Sequence, residues 1–289
     1  MKRLLIVGCG DIAHRLIPFL TRRYQVFALV RQVERCHRLR ALGVIPIVGD
    51  LDDRLSLHRL SGLAEVVLHF APPAATAVHD ERTRHLLAVL SGGGVLPKSL
   101  VYISTSGVYG DCASAWISET HPCQATTARA QRRVDAEQQL RRWGRRTGAA
   151  VMILRVPGIY AAERLPLQRL QQALPSIVAA EDGFTNHIHA DDLARSVLAA
   201  LRFGRAGRVY HVSDDVPQKM GDYFDAVADA FGYTRPQRVT RAAAQQCLPN
   251  SLLSFMNESR RLQNDRLKQE LKFKFRYPSV QDFLAEYAP

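Results

Sequence analysis

The chain has 289 residues, of which 47% are hydrophobic and 23% are charged, a composition typical of globular proteins that excludes a disordered or fibrous one. Its 39 Lys and Arg residues against 27 Asp and Glu residues give a formal net charge of +12. Anionic small-molecule ligands would account for this excess. Because no zinc-finger spacing or other nucleic-acid-binding module accompanies the charge, we expect no nucleic-acid partner.

The cysteines and the hydropathy of the sequence indicate in which cellular compartment the protein is found. The five cysteines form no C-x-x-C pair and leave one over, which argues against a disulfide framework or a structural zinc site. The apolar stretch at residues 4–7 is shorter than the roughly 7–15 residues of a signal-peptide core. No run approaches the roughly 20 apolar residues of a membrane span. We therefore expect a cytoplasmic protein that makes no membrane contact.

Short apolar runs alternate with helical patterns through the first half of the chain. Because a strand buried on both faces reads as a continuous apolar run, this alternation predicts an α/β fold with a doubly wound parallel sheet. The predicted strands are 4–7, 26–30, 44–48, 66–70, 100–104 and 150–156, and the predicted helices are 12–20, 32–42, 55–60, 74–90 and 128–146.

A glycine motif, G-x-G-x-x-A at residues 8–13, joins the first strand to the first helix. In this context Gly8 allows a tight turn, Gly10 lets the backbone approach a pyrophosphate, and Ala13 keeps the helix close to the sheet. The motif predicts a Rossmann-type dinucleotide site, although the same turn could join strand and helix without a ligand. The predicted cofactor-binding residues are Gly8, Gly10, Asp11, Ile12, Ala13, Arg31, Arg35, Asp50, Leu51, Phe70, Ala71, Ser104 and Pro157.

The residue after the second strand discriminates between nicotinamide cofactors, because an acidic group there holds the ribose hydroxyls and repels a 2′-phosphate. Here that residue is Arg31, with Arg35 one turn further on. The planar guanidinium fork suits a phosphate, so NADP(H) is favoured over NAD(H). Alternatively, Arg31 is one more solvated arginine. Asp50 could accept a hydrogen bond from an adenine amino group or cap the next helix.

The predicted organisation has two parts. Residues 1–156 form the dinucleotide-binding domain, to which 186–213 return through a helix at 191–201 and a strand at 208–212. Residues 157–185 and 214–289 form a smaller, mainly helical substrate-binding domain. We expect it to close over the carboxyl edge of the sheet, where open α/β sheets bind ligands.

Four further segments carry a family resemblance: YISTSGVYG at 102–110, LRVPGIY at 154–160, IHADDL at 188–193 and YHVS at 210–213. With the glycine turn, their order and spacing resemble extended or atypical short-chain dehydrogenases/reductases of the NAD-dependent epimerase/dehydratase type. The resemblance implies a nicotinamide cofactor, a small-molecule substrate and a Tyr-Lys pair four residues apart on the helix after the V-Y-G strand. In that family the Tyr is the general acid/base.

The chain departs from this pattern at the reacting centre. Aligning Glu137 with the family's Glu places Arg129 at the Tyr position and Arg133 at the Lys position, and Asp80 takes the place of the usual Asn. Thr105 retains the hydroxyl that contacts substrate. Because the pKa of arginine lies above about 12, its guanidinium stays charged and cannot serve as the base. If both arginines point into the cleft, a phosphate or carboxylate substrate is implied.

A substitute base would have to come from neighbouring motifs. Tyr109 is the foremost candidate, and Asp111, His121 and Tyr160 are the others. No spacing singles one of them out.

Three remaining features have structural interpretations. Arg141, Arg142, Arg145 and Arg146 fit a solvated helix face, which this family often uses to build a homodimer. The histidines and aspartates of 187–192 fit a helix cap rather than a metal site. Residues 257–268 resemble a late segment that holds substrate phosphates in sugar-nucleotide members, or they form a solvated helix.

Two functions follow from these features. The first is an NADP(H)-dependent oxidoreductase or epimerase/dehydratase-like enzyme with a degenerate Tyr-Lys site, acting on a polar, anionic, sugar- or sugar-nucleotide-like substrate. The second is a non-catalytic NADP(H)-binding redox sensor or scaffold. The retained Thr105 favours the enzyme, and the missing Tyr and Lys favour the scaffold.

Overall fold

The computed structural model describes residues 1–76, 79–249, 252–253 and 256–288. Its strands in chain order are β1 (Lys2–Val7), β2 (Tyr24–Val30), β3 (Ile45–Val48), β4 (Val66–His69), β5 (Ser99–Thr105), β6 (Trp116–Ile117), β7 (Ala150–Val156), β8 (Gly158–Tyr160), β9 (Ser176–Ile177), β10 (Phe184–Thr185), β11 (His187–His189), β12 (Val209–His211), β13 (Gln218–Lys219), β14 (Arg238–Val239) and β15 (Arg261–Leu262). Its α-helices are α1 (Asp11–Leu20), α2 (Arg35–Ala41), α3 (Glu81–Leu90), α4 (Ala128–Thr147), α5 (Leu167–Gln171), α6 (Ala190–Phe203), α7 (Met220–Ala230), α8 (Arg241–Cys247), α9 (Asp265–Glu270) and α10 (Val280–Tyr287).

A seven-stranded sheet forms the centre of the protein, in the order β12-β7-β5-β4-β1-β2-β3. Every neighbouring pair in it is parallel. The chain moves outward from β1 to β3 and then crosses back to β4 on the other side of β1, so the strand order reverses between β1 and β4. Such a reversal opens a crevice at the carboxyl ends of the strands. The predicted doubly wound α/β fold is confirmed.

Alternate residues of β1 supply two cores on opposite faces of the sheet. Leu4 and Ile6 join the cluster that contains α1 and α6 residues, whereas Leu5 and Val7 join the cluster that contains α3 and α4 residues. All four side chains are fully buried. Burial on both faces is the reason the strand reads as a continuous apolar run.

The helix predicted at 74–90 begins later than expected. The Asp80 side chain accepts a hydrogen bond from the backbone N–H of Thr83, and α3 therefore starts at Glu81. Residues 71–74, which contain Pro72 and Pro73, have no regular structure, because proline restricts the residue before it to extended conformations. Residues 77 and 78 of the predicted helix lie outside the described residues. The helix predicted at 55–60 is a 3-10 helix, Arg54–Leu60.

The second half of the chain returns to the sheet and then leaves it. β12 pairs with β7, with Val209 opposite Ile153, and this places 209–211 at the sheet edge. Beyond it, α7 and α10 pack around an aromatic cluster of their own that includes Tyr160, Tyr223 and Phe283. Among the residues described, no helix is both long and apolar enough to span a bilayer.

Candidate functional site

The glycine turn after β1 brings two segments of backbone into close approach. Gly8 has φ +95°, and a Cβ built on it would lie 2.4 Å from the backbone N of Ala71. Only glycine fits there, because both the left-handed conformation and the contact exclude a side chain. The turn thus fixes the end of β1 against the segment that follows β4.

The start of α1 suits an anionic ligand. Gly10 is the N-cap and offers no side-chain hydrogen bond to the helix, and a Cβ built on it would meet nothing within 4 Å. The first backbone N–H groups of a helix have no intrahelical partner. These N–H groups give the open space beside Gly10 a positive electrostatic potential, which favours an anionic group such as a pyrophosphate.

A cavity of about 490 Å³ opens at this turn, at the reversal of strand order. It extends to the carboxyl ends of β2, β3 and β4. Predicted cofactor-binding residues in its wall are Gly8, Gly10, Arg31, Arg35, Asp50, Leu51, Phe70 and Ala71, and they are joined by Cys9, Leu29, Val30, Gln32, Gly49, Pro72 and Arg82. These residues fit a dinucleotide, since the glycine backbone, a basic flank and an apolar wall meet in one cavity.

Arginines dominate the charge of this first cavity. The wall contains three arginines, Arg31, Arg35 and Arg82, and one carboxylate, Asp50. Arg82 is held by a two-pronged contact in which its Nε and Nη2 groups lie 2.7 and 2.6 Å from the Asp52 carboxylate oxygens. Neither Arg31 nor Arg35 forms an ion pair with any residue of the described ranges. Arg82 was not predicted from the sequence, although its position in the first turn of α3, the helix after β4, could have indicated it.

The other predicted cofactor-binding residues do not line this cavity. Ile12 and Ala13 are buried in the core, where their role is helix packing. Asp11 forms ion pairs with Arg15 and Arg164. 

Two further members of the predicted set lie elsewhere. The Ser104 hydroxyl donates a hydrogen bond to Glu137, 2.7 Å away. Pro157 lines a second cavity instead.

This second cavity has a volume of about 240 Å³ and lies beyond the end of β5. Thr105 and Arg129 are in its wall, as the sequence predicts for residues that meet substrate. The remaining lining residues are Ser106, Gly107, Pro157, Gly158, Phe184, Thr185, Asn186, His187, Met220, Glu258 and Arg260. Thr105 Oγ1 accepts a hydrogen bond from the Gly107 backbone N–H, so its own proton is available to a ligand.

Arg260 brings a second positive charge to this cavity. Its Nη1 group donates to the carbonyl of Gly110 at 2.6 Å and to the Glu258 carboxylate at 2.8 Å. The formal charges of Arg129, Arg260 and Glu258, which all lie in the wall, add up to +1. Glu258 and Arg260 both belong to the segment whose resemblance suggested phosphate binding, and the structure places these two residues of it at the cavity.

Comparison with known proteins identifies the family. The model of the NAD dependent epimerase/dehydratase family matches residues 4–213. The chain belongs to this family. A nicotinamide dinucleotide cofactor therefore fits both the family and the first cavity.

Two curated relatives are similar over most of their length. A 3-diazoavenalumate denitrifying reductase from a Streptomyces species is 25% identical, over 98% of this chain and 99% of that protein. A 4-hydroxy-2-methyl-3-oxo-4-farnesyl-3,4-dihydroquinoline-1-oxide ketoreductase from Stigmatella aurantiaca is 25% identical, over 84% of this chain and 79% of that protein.

Solved structures share the fold. A conserved protein of unknown function from Silicibacter pomeroyi has a TM-score of 0.80 and 26% identity, covering 99% of this chain and 98% of that one. A double mutant of the dTDP-glucose 4,6-dehydratase DesIV from Streptomyces venezuelae, solved with NAD bound, has a TM-score of 0.77 and 20% identity, covering 99% and 96%. The second likeness concerns the fold alone.

Arg133, at the family's Lys position, does not line either cavity. Its Nη1 group donates to the Tyr102 hydroxyl at 3.0 Å and to the Ile103 carbonyl at 2.8 Å. The expectation that it points into the cleft is therefore wrong, because these two β5 acceptors hold its guanidinium against the strand. Burial, partly offset by Arg133, raises the pKa of Tyr102 to about 12.

Asp80, at the family's Asn position, is 1% exposed and lines neither cavity. Its carboxylate accepts hydrogen bonds from the backbone N–H and the hydroxyl of Thr83. The Thr83 hydroxyl also lies 2.9 Å from His69 Nε2. Asp80 thus caps α3 and anchors a buried polar cluster.

Tyr109 does not fit the role of a substitute base, because it is fully buried and lines neither cavity. Its hydroxyl accepts a hydrogen bond from Arg155 at 2.6 Å and lies within hydrogen-bond distance of His211 Nε2. Since His211 Nδ1 faces the Gln263 carbonyl at 2.8 Å, the ring proton lies on Nδ1 and Nε2 accepts from Tyr109. Burial raises the pKa of the Tyr109 hydroxyl.

The three other candidate bases also have structural partners. The Tyr160 hydroxyl donates to the Ser279 carbonyl at 3.1 Å, and burial raises its pKa. Asp111 Oδ1 accepts from the backbone N–H of Ser259 at 2.8 Å. His121 Nε2 lies 3.9 Å from Cys112 Sγ.

The histidine–aspartate segment forms a helix start. His189 Nδ1 accepts a hydrogen bond from the backbone N–H of Asp191, so His189, rather than Asp192, is the cap of α6. Asp192 is fully buried and accepts hydrogen bonds from the backbone N–H groups of Arg276 and Tyr277. This carboxylate ties the chain before α10 to α6.

Proposed function

We propose that this chain is an oxidoreductase that binds NADP(H) in preference to NAD(H) and acts on a small polar substrate carrying an anionic group. One observation carries the proposal: a glycine turn and a cluster of arginines line the same cavity, with Arg31 where an acidic residue would select NAD(H). When bound, the nicotinamide supplies or accepts a hydride.

The cofactor preference rests on charge. A 2′-phosphate beside Arg31 and Arg35 would find two guanidinium groups that have no ion-pair partner in the described part of the chain. Planar guanidinium groups bind phosphate through paired hydrogen bonds. Arg82 lines the same flank, but the Asp52 carboxylate offsets its charge, so the preference rests on Arg31 and Arg35.

The substrate class rests on the second cavity. Thr105 offers a hydroxyl donor at the end of β5, and Arg129 and Arg260 offer positive charge in the same wall. A carbonyl or carbinol compound that carries a phosphate or carboxylate would match both. The names of the two curated relatives, a denitrifying reductase and a ketoreductase, support a reduction, and the second name supports reduction of a carbonyl group.

A second function, a non-catalytic NADP(H)-binding redox sensor or scaffold, is favoured by one specific observation. The Lys position is taken by Arg133, whose guanidinium is bound to Tyr102 and Ile103, and α4 contains no Tyr. Loss of a positioned acid/base costs on the order of 10²–10⁴ in rate. Such a loss is compatible with slow turnover or with none.

Turnover of NADPH separates the two functions. We would follow NADPH oxidation with phosphorylated aldoses and ketoses and with 2-oxo acids, comparing the wild type with Thr105→Val. The oxidoreductase proposal predicts oxidation with at least one compound and a loss of roughly tenfold or more in kcat/KM in the variant, at unchanged NADPH affinity. Tight NADPH binding without oxidation of any compound would favour the sensor.

A further inference from the structure

His187 is a buried histidine of β11 that lines the second cavity. Only 5% of its surface is exposed to solvent. It shares the cavity wall with Thr105 and Arg129.

Aromatic neighbours fix the plane of the His187 ring. The ring stacks on Tyr223, with centroids 4.3 Å apart and planes at 30°. Tyr160 meets it edge-on, with centroids 6.3 Å apart and planes at 74°. A ring held on two sides keeps one orientation toward the cavity.

The Cδ2–Nε2 edge of this ring packs over a glycine. A Cβ built on Gly158 would lie 3.1 Å from His187 Cδ2 and 3.6 Å from His187 Nε2. Gly158 is exposed and lines the same cavity. The absent side chain therefore leaves this edge of the ring at the cavity wall.

The other ring nitrogen determines where the proton lies. His187 Nδ1 is buried and has no hydrogen-bond partner among the residues that the structure describes. Burial lowers the pKa of His187 to about 4, so the ring is uncharged at neutral pH. Because a buried N–H without a partner is rarer and costlier than a buried unpaired acceptor, Nδ1 carries the lone pair and Nε2 carries the proton.

We propose that uncharged His187 donates a hydrogen bond from Nε2 to the carbonyl or carbinol oxygen of a substrate in the second cavity. This inference rests on the proposed function for the nature of the substrate. Hydride addition to a carbonyl places negative charge on that oxygen, and a fixed donor stabilises it. His187 and Thr105 together would supply the donors that the chain lacks at the Tyr position of α4.

The tautomer of His187 can be measured without a substrate. The full chain labelled with ¹⁵N-histidine is examined by long-range ¹H–¹⁵N correlation at pH 7, with and without NADPH, and His187→Gln identifies the resonance. The expected result is a neutral ring protonated on Nε2. A ring protonated on Nδ1, or on both nitrogens, overturns the proposal. If NADPH shifts no resonance, the result contradicts NADPH binding and with it the proposed function, whereas the tautomer of His187 is still determined.

Turnover tests the role of the donor with any compound that supports NADPH oxidation. His187→Leu removes the N–H, whereas His187→Gln keeps an amide N–H near the position of Nε2. The expected kcat/KM falls by roughly 10²–10³ in the Leu variant, as for loss of an oxyanion donor, and is largely restored in the Gln variant. Wild-type kcat/KM in the Leu variant overturns the proposal.

Gly158→Ala is a second test that keeps the imidazole, although its Cβ, 3.1 Å from His187 Cδ2, requires a shift of a few tenths of an ångström in the ring or the backbone. Its methyl group would cover the Cδ2–Nε2 edge. The expected result is a melting temperature near that of the wild type with a kcat/KM lowered roughly tenfold or more. Unchanged kcat/KM in this variant would show that substrate does not approach that edge, and would contradict the proposed hydrogen bond.

Discussion

Arg155 Nη2 lies 2.6 Å from Glu137 Oε2, and both side chains are 4% exposed. A second contact joins Arg155 Nε to Glu137 Oε1 at 3.0 Å, and Ser104 donates to the same oxygen. This pair ties α4 to β7, and Ser104 joins β5 to it. It also extends through Tyr109 to His211, at the edge of the sheet.

Breaking this pair should destabilise the fold strongly. Glu137→Gln leaves the Arg155 charge buried without its counter-ion, which costs about 3–5 kcal/mol of unfolding free energy. The measurement is urea unfolding at pH 7. The control is Glu286→Gln, which removes the partner of Arg276 in a pair whose side chains are 53% and 57% exposed. Exposed pairs contribute about 0–1 kcal/mol, so equal losses in the two variants would contradict the structure.

Asp214 should make stability depend on pH. It is 2% exposed, its Oδ2 has no partner among the described residues, and burial raises its pKa well above the ordinary value. Above the unfolded-state pKa of about 3.9, the unfolded chain releases this proton and the folded chain keeps it. The free energy of unfolding is therefore highest, as far as Asp214 is concerned, at low pH. Between the unfolded-state pKa and the folded-state pKa of Asp214 it falls by about 1.4 kcal/mol per pH unit.

Asp214→Asn should remove this slope. Thermal or urea unfolding between about pH 4 and pH 8 is expected to show a variant that gains stability over the wild type as pH rises. Asp229→Asn is the control, because hydrogen bonds from Arg235 lower the pKa of this exposed carboxyl, so it titrates below this pH range and the variant's profile should parallel that of the wild type. Parallel pH profiles for the wild type and Asp214→Asn would show that Asp214 titrates normally.

Two glycines of one turn should respond differently to alanine. Gly8→Ala forces a side chain into a left-handed position and against the Ala71 backbone, and we expect a loss of about 2 kcal/mol or more in unfolding free energy. Gly10→Ala meets no neighbour within 4 Å, so it should fold normally. Its methyl group would nevertheless stand where a pyrophosphate approaches, and NADPH affinity should fall roughly tenfold. The measurements are thermal unfolding and NADPH titration; a stable Gly8→Ala variant would contradict the turn geometry.

The sheet and the glycine turn could be predicted because their cause is local. Leu4 to Val7 are apolar because both faces of β1 are covered, and Gly8 is required by its own backbone and one close contact. Both signals are visible in a short stretch of sequence. The first cavity follows from them, since the carboxyl ends of neighbouring parallel strands meet at one edge.

Side-chain direction could not be predicted, because it depends on partners far away in the sequence. Arg133 turns to acceptors on β5, and Tyr109 is buried against Arg155 and His211. A family alignment gives the position of each residue but not the neighbour that holds it. His187 was interpreted only as part of a helix cap, since its exposure to the second cavity depends on the missing side chain of Gly158.

Cofactor choice is the central claim, and calorimetric titration of the wild type and of Arg31→Ala with NADPH and with NADH tests it most directly. We predict that the wild type binds NADPH more tightly than NADH, and that Arg31→Ala loses affinity for NADPH by roughly tenfold or more while its affinity for NADH changes little. Equal affinities of the wild type for the two nucleotides, or an equal loss for both in the variant, would contradict the proposed recognition of a 2′-phosphate. Absence of binding to either nucleotide would contradict the oxidoreductase function itself.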